Sequence, residues 1–528
     1  MTMEATGANN LEYNTIGSPL KSVIQSSNRR NQNRTQIGNL GLDYMINNKN
    51  IISIASNYNY RWRRRADNIL SNSTDWNNTL INSTNKYYND EDYSNNLDIT
   101  SGYKMKFDNT KHELNTNITY SGSWNEDLLN MKNLTGTDFS NQNNHRKDNF
   151  NVVTGQMDYY HPFSEKSHYE TGLKYNYRKV NSDYWDEIED INGSWVRNGS
   201  NDDNFIYKEN IASVYGLYDK KMKNFKFQAG LRIEQTVINS AQSLGNVVIE
   251  NNYLDYFPNA LVSQTFSTTN EIQLSYTRRI NRPSYSNLNP FTEYFNLQNI
   301  SKGNPYLKPE YVNSVDLGYL KYFSTSSFSS SIFYRDTKNL INRITTATDS
   351  GFTYTTYENL TGSKSYGIEL IYSGDILKWW NINANVSYFG TQLDNSNITG
   401  LSDNSNYSWN GKLNSNIKIP KIIEIQMSYN YQGKTITAQG YNDPINSFDI
   451  LLKKNIMNKR ASISFRVVDL FNTLKYTYHI NGINFTQVTD RKRVTRTAFI
   501  IFTYNFGTNN SGMDKKKKKE NIIKDEDE

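Results

Sequence analysis

The stretch FKFQAGLRIE, Phe225–Glu234, places Phe225, Phe227, Ala229, Leu231 and Ile233 on one parity and Lys226, Gln228, Arg232 and Glu234 on the other. In an extended chain successive side chains point to opposite faces, so this segment has one apolar face and one wet face. The alternation recurs on both sides of it. Leu114, Ile118, Tyr120 and Trp124 alternate with Asn115, Asn117 and Ser121. Trp380, Ile382, Ala384, Val386 and Tyr388 alternate with Asn381, Asn383, Asn385 and Ser387. Ile423, Ile425, Met427, Tyr429 and Tyr431 alternate with Glu424, Gln426, Ser428 and Asn430. Any one of these segments fits a soluble sandwich. Sandwich strands average about five or six residues, whereas these are long enough to cross a tilted bilayer, which needs roughly nine to eleven.

The pattern predicts strands near 36–46, 51–62, 93–107, 111–124, 149–162, 167–181, 205–218, 224–239, 253–268 and 270–281. Further strands are expected near 311–323, 327–346, 352–373, 379–391, 409–419, 422–434, 446–457, 461–470 and 493–506. Short turns alternate with long polar loops at 63–92, 125–148, 182–204, 240–252, 282–310, 392–408, 435–445 and 471–492, and the link at 347–351 is the short member of that set. Short turns at one end and long loops at the other are the layout of a transmembrane β-barrel, with turns periplasmic and loops extracellular. The fold expected is therefore all-β, a large antiparallel barrel in the outer membrane. No composition break or Pro/Gly-rich linker divides the patterned region. The expected organisation is a polar N-terminal segment 1–35, a barrel 36–507 and a charged C-terminal tail 508–528.

Composition agrees with this. A mean hydropathy of −0.78 and 36% hydrophobic residues would be too polar for a helical membrane protein. In a barrel only alternate strand residues meet lipid, and lumen and loops are polar. Disorder is the other reading of low hydropathy, but 40 Tyr, 23 Phe and 8 Trp oppose it, because disordered chains are poor in aromatics. Abundant Tyr suits the aromatic girdles at the membrane interfaces. The chain has no cysteine, which is compatible with an oxidising compartment. The Lys515–Lys519 run, followed by Asp525–Glu528, reads as a solvated tail rather than a nucleic-acid arm. No 18-residue apolar run and no basic-then-apolar leader is present.

About nineteen strands are readable, and bacterial single-chain barrels have an even number. Turn parity makes the first readable strand run toward the short-turn end, as does the last. An upward strand is thus missing or lies unrecognised within residues 1–35, which look too polar to supply it; the expectation is an N-terminally truncated barrel.

Ser275–Tyr319 carries a sequence resemblance. Its elements are Arg282-Pro283, Leu288-Asn289-Pro290-Phe291 and Gly303-Asn304-Pro305-Tyr306-Leu307-Lys308-Pro309-Glu310. Four of the chain's nine prolines fall here. Proline fixes φ and removes a donor, so the cluster predicts an ordered segment outside the sheet. With Asp469-Leu470-Phe471-Asn472 and the closing Phe502–Gly507, this stretch resembles the barrel of TonB-dependent receptor-like outer-membrane proteins, over about residues 30–507. The resemblance implies a 22-stranded barrel occluded by an N-terminal plug, with uptake coupled to TonB through that plug. Neither plug nor TonB box is visible in this chain.

Other candidate sites are weaker. Asp183–Asp190 is acidic, but lacks the spaced pattern of a calcium loop. The five histidines form no i,i+4 pair, and no metal site or cofactor is expected. No nucleophile elbow, P-loop or dinucleotide fingerprint appears, so the chain is not read as an enzyme. The aromatics Trp76, Tyr87, Tyr88, Tyr184, Trp185 and Trp195 fall in expected outer loops, where they either contact a ligand or pack loop against loop. Arg61, Arg63, Arg64 and Arg65 flank Trp62 near a strand's outer end, and are expected to pair with lipopolysaccharide above the aromatic belt. The expected partners are outer-membrane lipid and lipopolysaccharide, an unknown nutrient ligand, and TonB only through a plug, with no nucleic acid. The expected function is nutrient uptake across the outer membrane; a structural or adhesive barrel without transport, or an inactive fragment, is the alternative.

Overall fold

The computed structural model describes residues 2–13, 20–108, 112–135, 141–296, 299–348 and 352–506. Gly507 and the tail 508–528 lie outside the described residues. Nearly all of the chain enters a 25-stranded sheet and a separate 4-stranded sheet. Among the described residues no helix is long and apolar enough to cross a membrane.

The large sheet is antiparallel throughout, and most of its strands pair with neighbours along the chain. The nineteen expected strands all contribute to it, Thr2–Tyr13 adds a twentieth, and five short pieces, Trp195–Arg197, Thr435–Thr437, Gly440–Asn442, Lys475–Asn481 and Phe485–Arg493, complete the 25; the resemblance implies 22. Below, "lower" means the end with turns such as Asn48–Lys49 and Glu165–Lys166, and "upper" the opposite end.

The first side of the sheet corrects the sequence reading. Residues 1–35 were expected to be a polar segment outside the barrel, yet Thr2–Tyr13 and Ser22–Asn47 are strands. Thr2–Tyr13 is the upward strand that parity required. It pairs with Ser22–Gln32 on one side and with Phe485–Arg493 on the other. The signal was missed because both faces of Thr2–Asn10 carry small or polar residues, so there is no apolar stripe for period two to reveal.

The wall is thus joined along its upper half only. Thr2 lies opposite Gln32, and Ala5 opposite Arg493. Below them, Asn33–Asn47 pairs only with Asn50–Arg63, and Thr497–Tyr504 only with Ala461–Val468. No antiparallel ladder joins 36–46 to 493–506, as parity predicted. Among the described residues the two lower edges face a slit.

Most of the expected outer loops are strand. Asn50–Thr74 and Leu80–Lys106 run through 63–92 and leave only a link at 75–79. The same holds for Glu113–Asn133 with Gln142–Ser164, and for Ser167–Glu189 with Asp203–Met222. Above the apolar band the outer face no longer alternates cleanly with the inner one, where Ile69, Tyr88 and Met131 pack together, and the backbone ladder continues where the alternation ends. Asp183–Glu189 is therefore not a loop: Asp186 is buried and accepts a bond from Gln142 Nε2 at 2.9 Å.

The strands expected at 327–346 and 352–373 are each divided. The wall keeps Ser326–Lys338 and Gly362–Leu377. Between them, Ile341–Ala347 and Thr353–Asn359 form a hairpin that leaves the wall at Asn339, whose φ is 56°. This hairpin joins Thr292–Asn296 and Asn299–Lys302 in the 4-stranded sheet through a parallel pairing of Asn299–Ser301 with Thr353–Thr355.

Facing follows the expected parity. Met157, Leu173, Val214, Ile233 and Tyr256 lie directly opposite one another on five successive strands, an apolar row on the outer wall. Leu231 is 44% exposed on this face, while Glu234 is buried on the inner one. An apolar band of this extent is stable only against a non-aqueous surround.

Candidate functional site in the lumen

The inner face is a lattice of opposed charges. Arg65 lies opposite Asp90 and Arg63 opposite Asp92, with ion pairs of 3.1 and 2.9 Å. Arg29 pairs with Asp67 at 2.6 Å and Arg146 with Asp127 at 3.2 Å. Directly opposed unlike charges stabilise a strand pair, and here they hold a polar lining away from lipid.

These contacts overturn the lipopolysaccharide role expected for the arginine run. Adjacent strand positions point to opposite faces, so Arg64 cannot share a face with Arg63 and Arg65. Arg61, Arg63 and Arg65 point into the lumen, where Asp92 and Asp90 take them, and only Arg64 points outward, 3.5 Å from Glu91.

The resemblance-bearing stretch folds down onto this lining. Arg282 leaves the wall after Asn281 and donates from Nη2 to Glu234 Oε2 at 2.7 Å and to Thr236 Oγ1 at 2.8 Å. Burial pulls the Arg282 pKa down, but hydrogen bonding and charge from Glu234 and Tyr253 more than offset it, so the net shift is upward. Pro283 then opens one helical turn, Tyr285–Leu288, capped by Ser284, whose side chain accepts from Asn287 N–H. Asn289 is buried; its amide donates to Tyr285 OH, and its Oδ1 accepts from Phe291 N–H at 3.1 Å. Leu288, Phe291 and Leu307 pack with Val180, Phe205, Tyr207 and Ile238 of the inner wall, and Pro290 is buried beside them.

The return half is fixed equally closely. A Cβ on Gly303 would stand 2.3 Å from the Asn289 carbonyl oxygen, so only glycine allows this approach. Asn304 donates to the Tyr357 carbonyl at 2.9 Å and accepts from Tyr306 N–H, which closes a turn around Pro305. The Pro309 carbonyl accepts from Asn339, and Glu310 accepts from Asn281 and from Ile341 N–H at 2.7 Å. The motif therefore binds the hairpin of the 4-stranded sheet as firmly as it binds the wall.

That hairpin reaches the far side. Gln439 accepts from Thr345 N–H at 2.6 Å and donates back to the Thr345 carbonyl at 2.8 Å. Tyr13 OH donates to the Thr348 carbonyl, and Ala347 packs on the cluster of Leu11, Tyr13 and Phe485. The small sheet thus forms a plate across the upper lumen, tied to opposite walls.

The aromatic candidates are not brought together. Trp76 is exposed at the tip between Asn50–Thr74 and Leu80–Lys106, Tyr87 and Tyr88 lie on opposite faces of a strand, and Trp195 is exposed near Glu189. Trp185 stacks on His145 at 4.9 Å, with Arg197 5.4 Å from its ring. Tyr184 alone faces the plate, 5.9 Å from the Phe291 ring. One pairing escaped the sequence reading: His112 Nε2 and His161 Nδ1 are 3.3 Å apart on adjoining strands. Strand register, which sequence spacing does not reveal, places them together. Among the described residues no group of three His, Cys, Asp or Glu is placed to hold a metal ion.

A polar lumen, an apolar outer band and a plate across one end define a membrane-spanning β-barrel. The sequence matches the outer membrane protein beta-barrel family over residues 105–504, and the chain belongs to that family. No curated protein matches it in sequence. Its fold is similar to the siderophore receptor PiuA from Acinetobacter baumannii, with a TM-score of 0.54 at 12% identity over 93% of this chain and 81% of that one. It is also similar to the ferric yersiniabactin uptake receptor FyuA from Yersinia pestis, at 0.52 and 14% over 94% and 80%. The copper transporter OprC gives 0.58 and 10% over 93% and 80%. The chain is a β-barrel of the outer membrane.

Proposed function

We propose that this barrel takes part in nutrient uptake, with its upper end extracellular and its short turns periplasmic. The observation that carries the reading is the plate. A barrel that served only as scaffold would not need an ordered sheet across its lumen, held by a buried ion pair at Arg282 and a buried amide clamp at Gln439. The fold likeness to PiuA, FyuA and OprC supports the same reading. In it, Trp76, Tyr184, Trp185 and Trp195 are ligand contacts at successive heights, Arg64 is the residue left to meet lipopolysaccharide, and coupling to TonB runs through a plug domain.

Orientation is tested first. The chain has no cysteine, so Trp76→Cys and Glu165→Cys each introduce a unique label site. A membrane-impermeant maleimide on intact cells should label the first and spare the second. Uptake is then tested by comparing a deletion strain with its complemented form across limiting iron, copper, sugar and peptide sources. A growth defect on one source, repaired by complementation, supports uptake. Equal growth on every source with reduced surface attachment would replace it with the adhesive reading.

A further inference from the structure

The lumen's charges are balanced along one arc and unbalanced at the seam. Between the seam and the plate lies a cavity of ≈ 650 Å³, within the size range of small-ligand sites. Arg29, Arg65, Arg491 and Arg493 line it from the wall, and Arg343 lines it from the plate. Arg29 and Arg65 have their carboxylates in Asp67 and Asp90. Among the described residues, none supplies an ion pair to Arg343, Arg491 or Arg493. Arg491 lies within electrostatic reach of Arg29, Arg343 and Arg493. The one carboxylate in the lining, Asp490, is already held by Lys475 at 3.0 Å and by Thr477 at 2.6 Å.

Three guanidinium groups around one cavity repel one another, and all three residues stay exposed to it. The Tyr478 and Tyr357 rings, 5.7 Å from Arg491 and 5.9 Å from Arg343, orient two of them without neutralising them. A planar guanidinium presents paired donors that match a carboxylate or phosphate edge. We propose that this cavity binds a small polyanion carrying two or more carboxylate or phosphate groups. The anion spans the gap between Arg343 on the plate and Arg491 and Arg493 on the wall, and joins two elements that otherwise repel. The proposal names a solute class for the uptake reading but does not depend on it, since binding is measured without transport.

The test is calorimetric titration of the full chain in detergent at low salt, with tricarballylate and pyrophosphate as probes and sucrose as the neutral control. At least one anion should bind saturably and sucrose should not. Arg343→Gln combined with Arg491→Gln should weaken anion binding at least tenfold. Arg466→Gln, which removes a cation paired with Asp449 outside the cavity, should leave it within twofold. Arg343→Gln alone, on the plate rather than the wall, should weaken it about threefold with unchanged far-ultraviolet circular dichroism, which separates lost binding from lost folding. The stronger of the two anions assigns the group type, and either supports the site. Absence of saturable binding by both anions, an unaltered affinity in the double variant, or an equal loss with Arg466→Gln would overturn it. Anion binding in a protein whose deletion costs no growth would remove the uptake reading and leave this one standing.

Discussion

The tall arc from Asn50 to Ser267 and the seam from Ala461 round to Asn47 are built by the same backbone pairing, yet they are held together differently. In the arc, the wall strands run 18 to 27 residues, as in Asn50–Thr74, Leu80–Lys106 and Phe225–Gln242. The C-terminal side of the seam is built from pieces of 7 to 9 residues, Ala461–Val468, Lys475–Asn481, Phe485–Arg493 and Thr497–Tyr504. An unbroken ladder satisfies its own N–H and C=O groups, and its inner charges need only alternate in register. A broken ladder must find acceptors elsewhere. At the seam Asp469 provides them: buried, with φ at 45°, it accepts from Thr473 N–H at 3.0 Å, Leu474 N–H at 3.2 Å and the Thr495 hydroxyl. One carboxylate thus spans the breaks in both strands of the last hairpin. Regularity lets the arc's backbone ladder close without side-chain hydrogen bonds, and irregularity makes the seam's ladder depend on a few of them.

The largest effect that would sharpen this contrast concerns the arc's tie to the plate. Arg282→Met leaves Glu234 with Arg232, 3.0 Å away, as its remaining ion-pair partner among the described residues, and breaking a buried pair costs about 3–5 kcal/mol. Urea unfolding in detergent should show that loss, and proteolysis of intact cells should begin to cut within 282–310. Arg343→Met removes a cation with no carboxylate and should cost less than about 1 kcal/mol. Equal losses would break the comparison. Next comes the lipid face. Leu231→Arg should cost about 2–4 kcal/mol if the site lies near mid-membrane, whereas Ile500→Arg, on the unpaired lower edge and 81% exposed, should cost less than half of that by the same measurement in vesicles. The smallest effect is Asp469→Ala, expected to cost about 1–3 kcal/mol from its lost charge-assisted bonds. Its hydrogen exchange should rise at Thr473 and Leu474 and stay unchanged in Asn50–Thr74. Exchange spread evenly around the wall would remove the distinction.

Most of the wall was legible because period two is a direct image of a sheet with lipid on one side and water on the other. Leu231 and Glu234 fall on the faces that their parity assigns. Legibility ends where one of the two solvents ends. Above the apolar band, Ser71-Asn72-Ser73 and Asn82-Ser83-Thr84 are strand with polar residues on both faces, Ser71, Ser73 and Thr84 being buried on the inner one, and nothing in their composition marks them as ladder. The same holds for Thr2–Asn10. The arginine run at 61–65 was legible in principle: parity alone separates Arg64 from the other three, and the misassignment came from reading it as a patch and not as a strand. The motif 282–310 was read from its prolines as ordered and outside the sheet; of its described residues, Thr292–Asn296 and Asn299–Lys302 pair into the small sheet, and all four prolines lie outside those strands. That it would recruit the hairpin 341–359 into a plate was not legible, because Asn304 to Tyr357 and Gln439 to Thr345 are long-range bonds between polar residues that carry no periodic signature.

The half-joined seam gives the tube the mechanics of a collar fastened at the top. In a fully bonded ring, widening means breaking backbone hydrogen bonds, so the girth is set by the number of strands. Among the described residues the clasp of Ala5–Tyr13 on Phe485–Arg493 fixes the upper girth, while no ladder joins the facing edges of Asn33–Asn47 and Thr497–Tyr504 below it. Unbonded backbone groups at membrane depth cost several kcal/mol each. The lower edges are therefore where further strand pairing gains most, and the girth there is set by the strands that fill them.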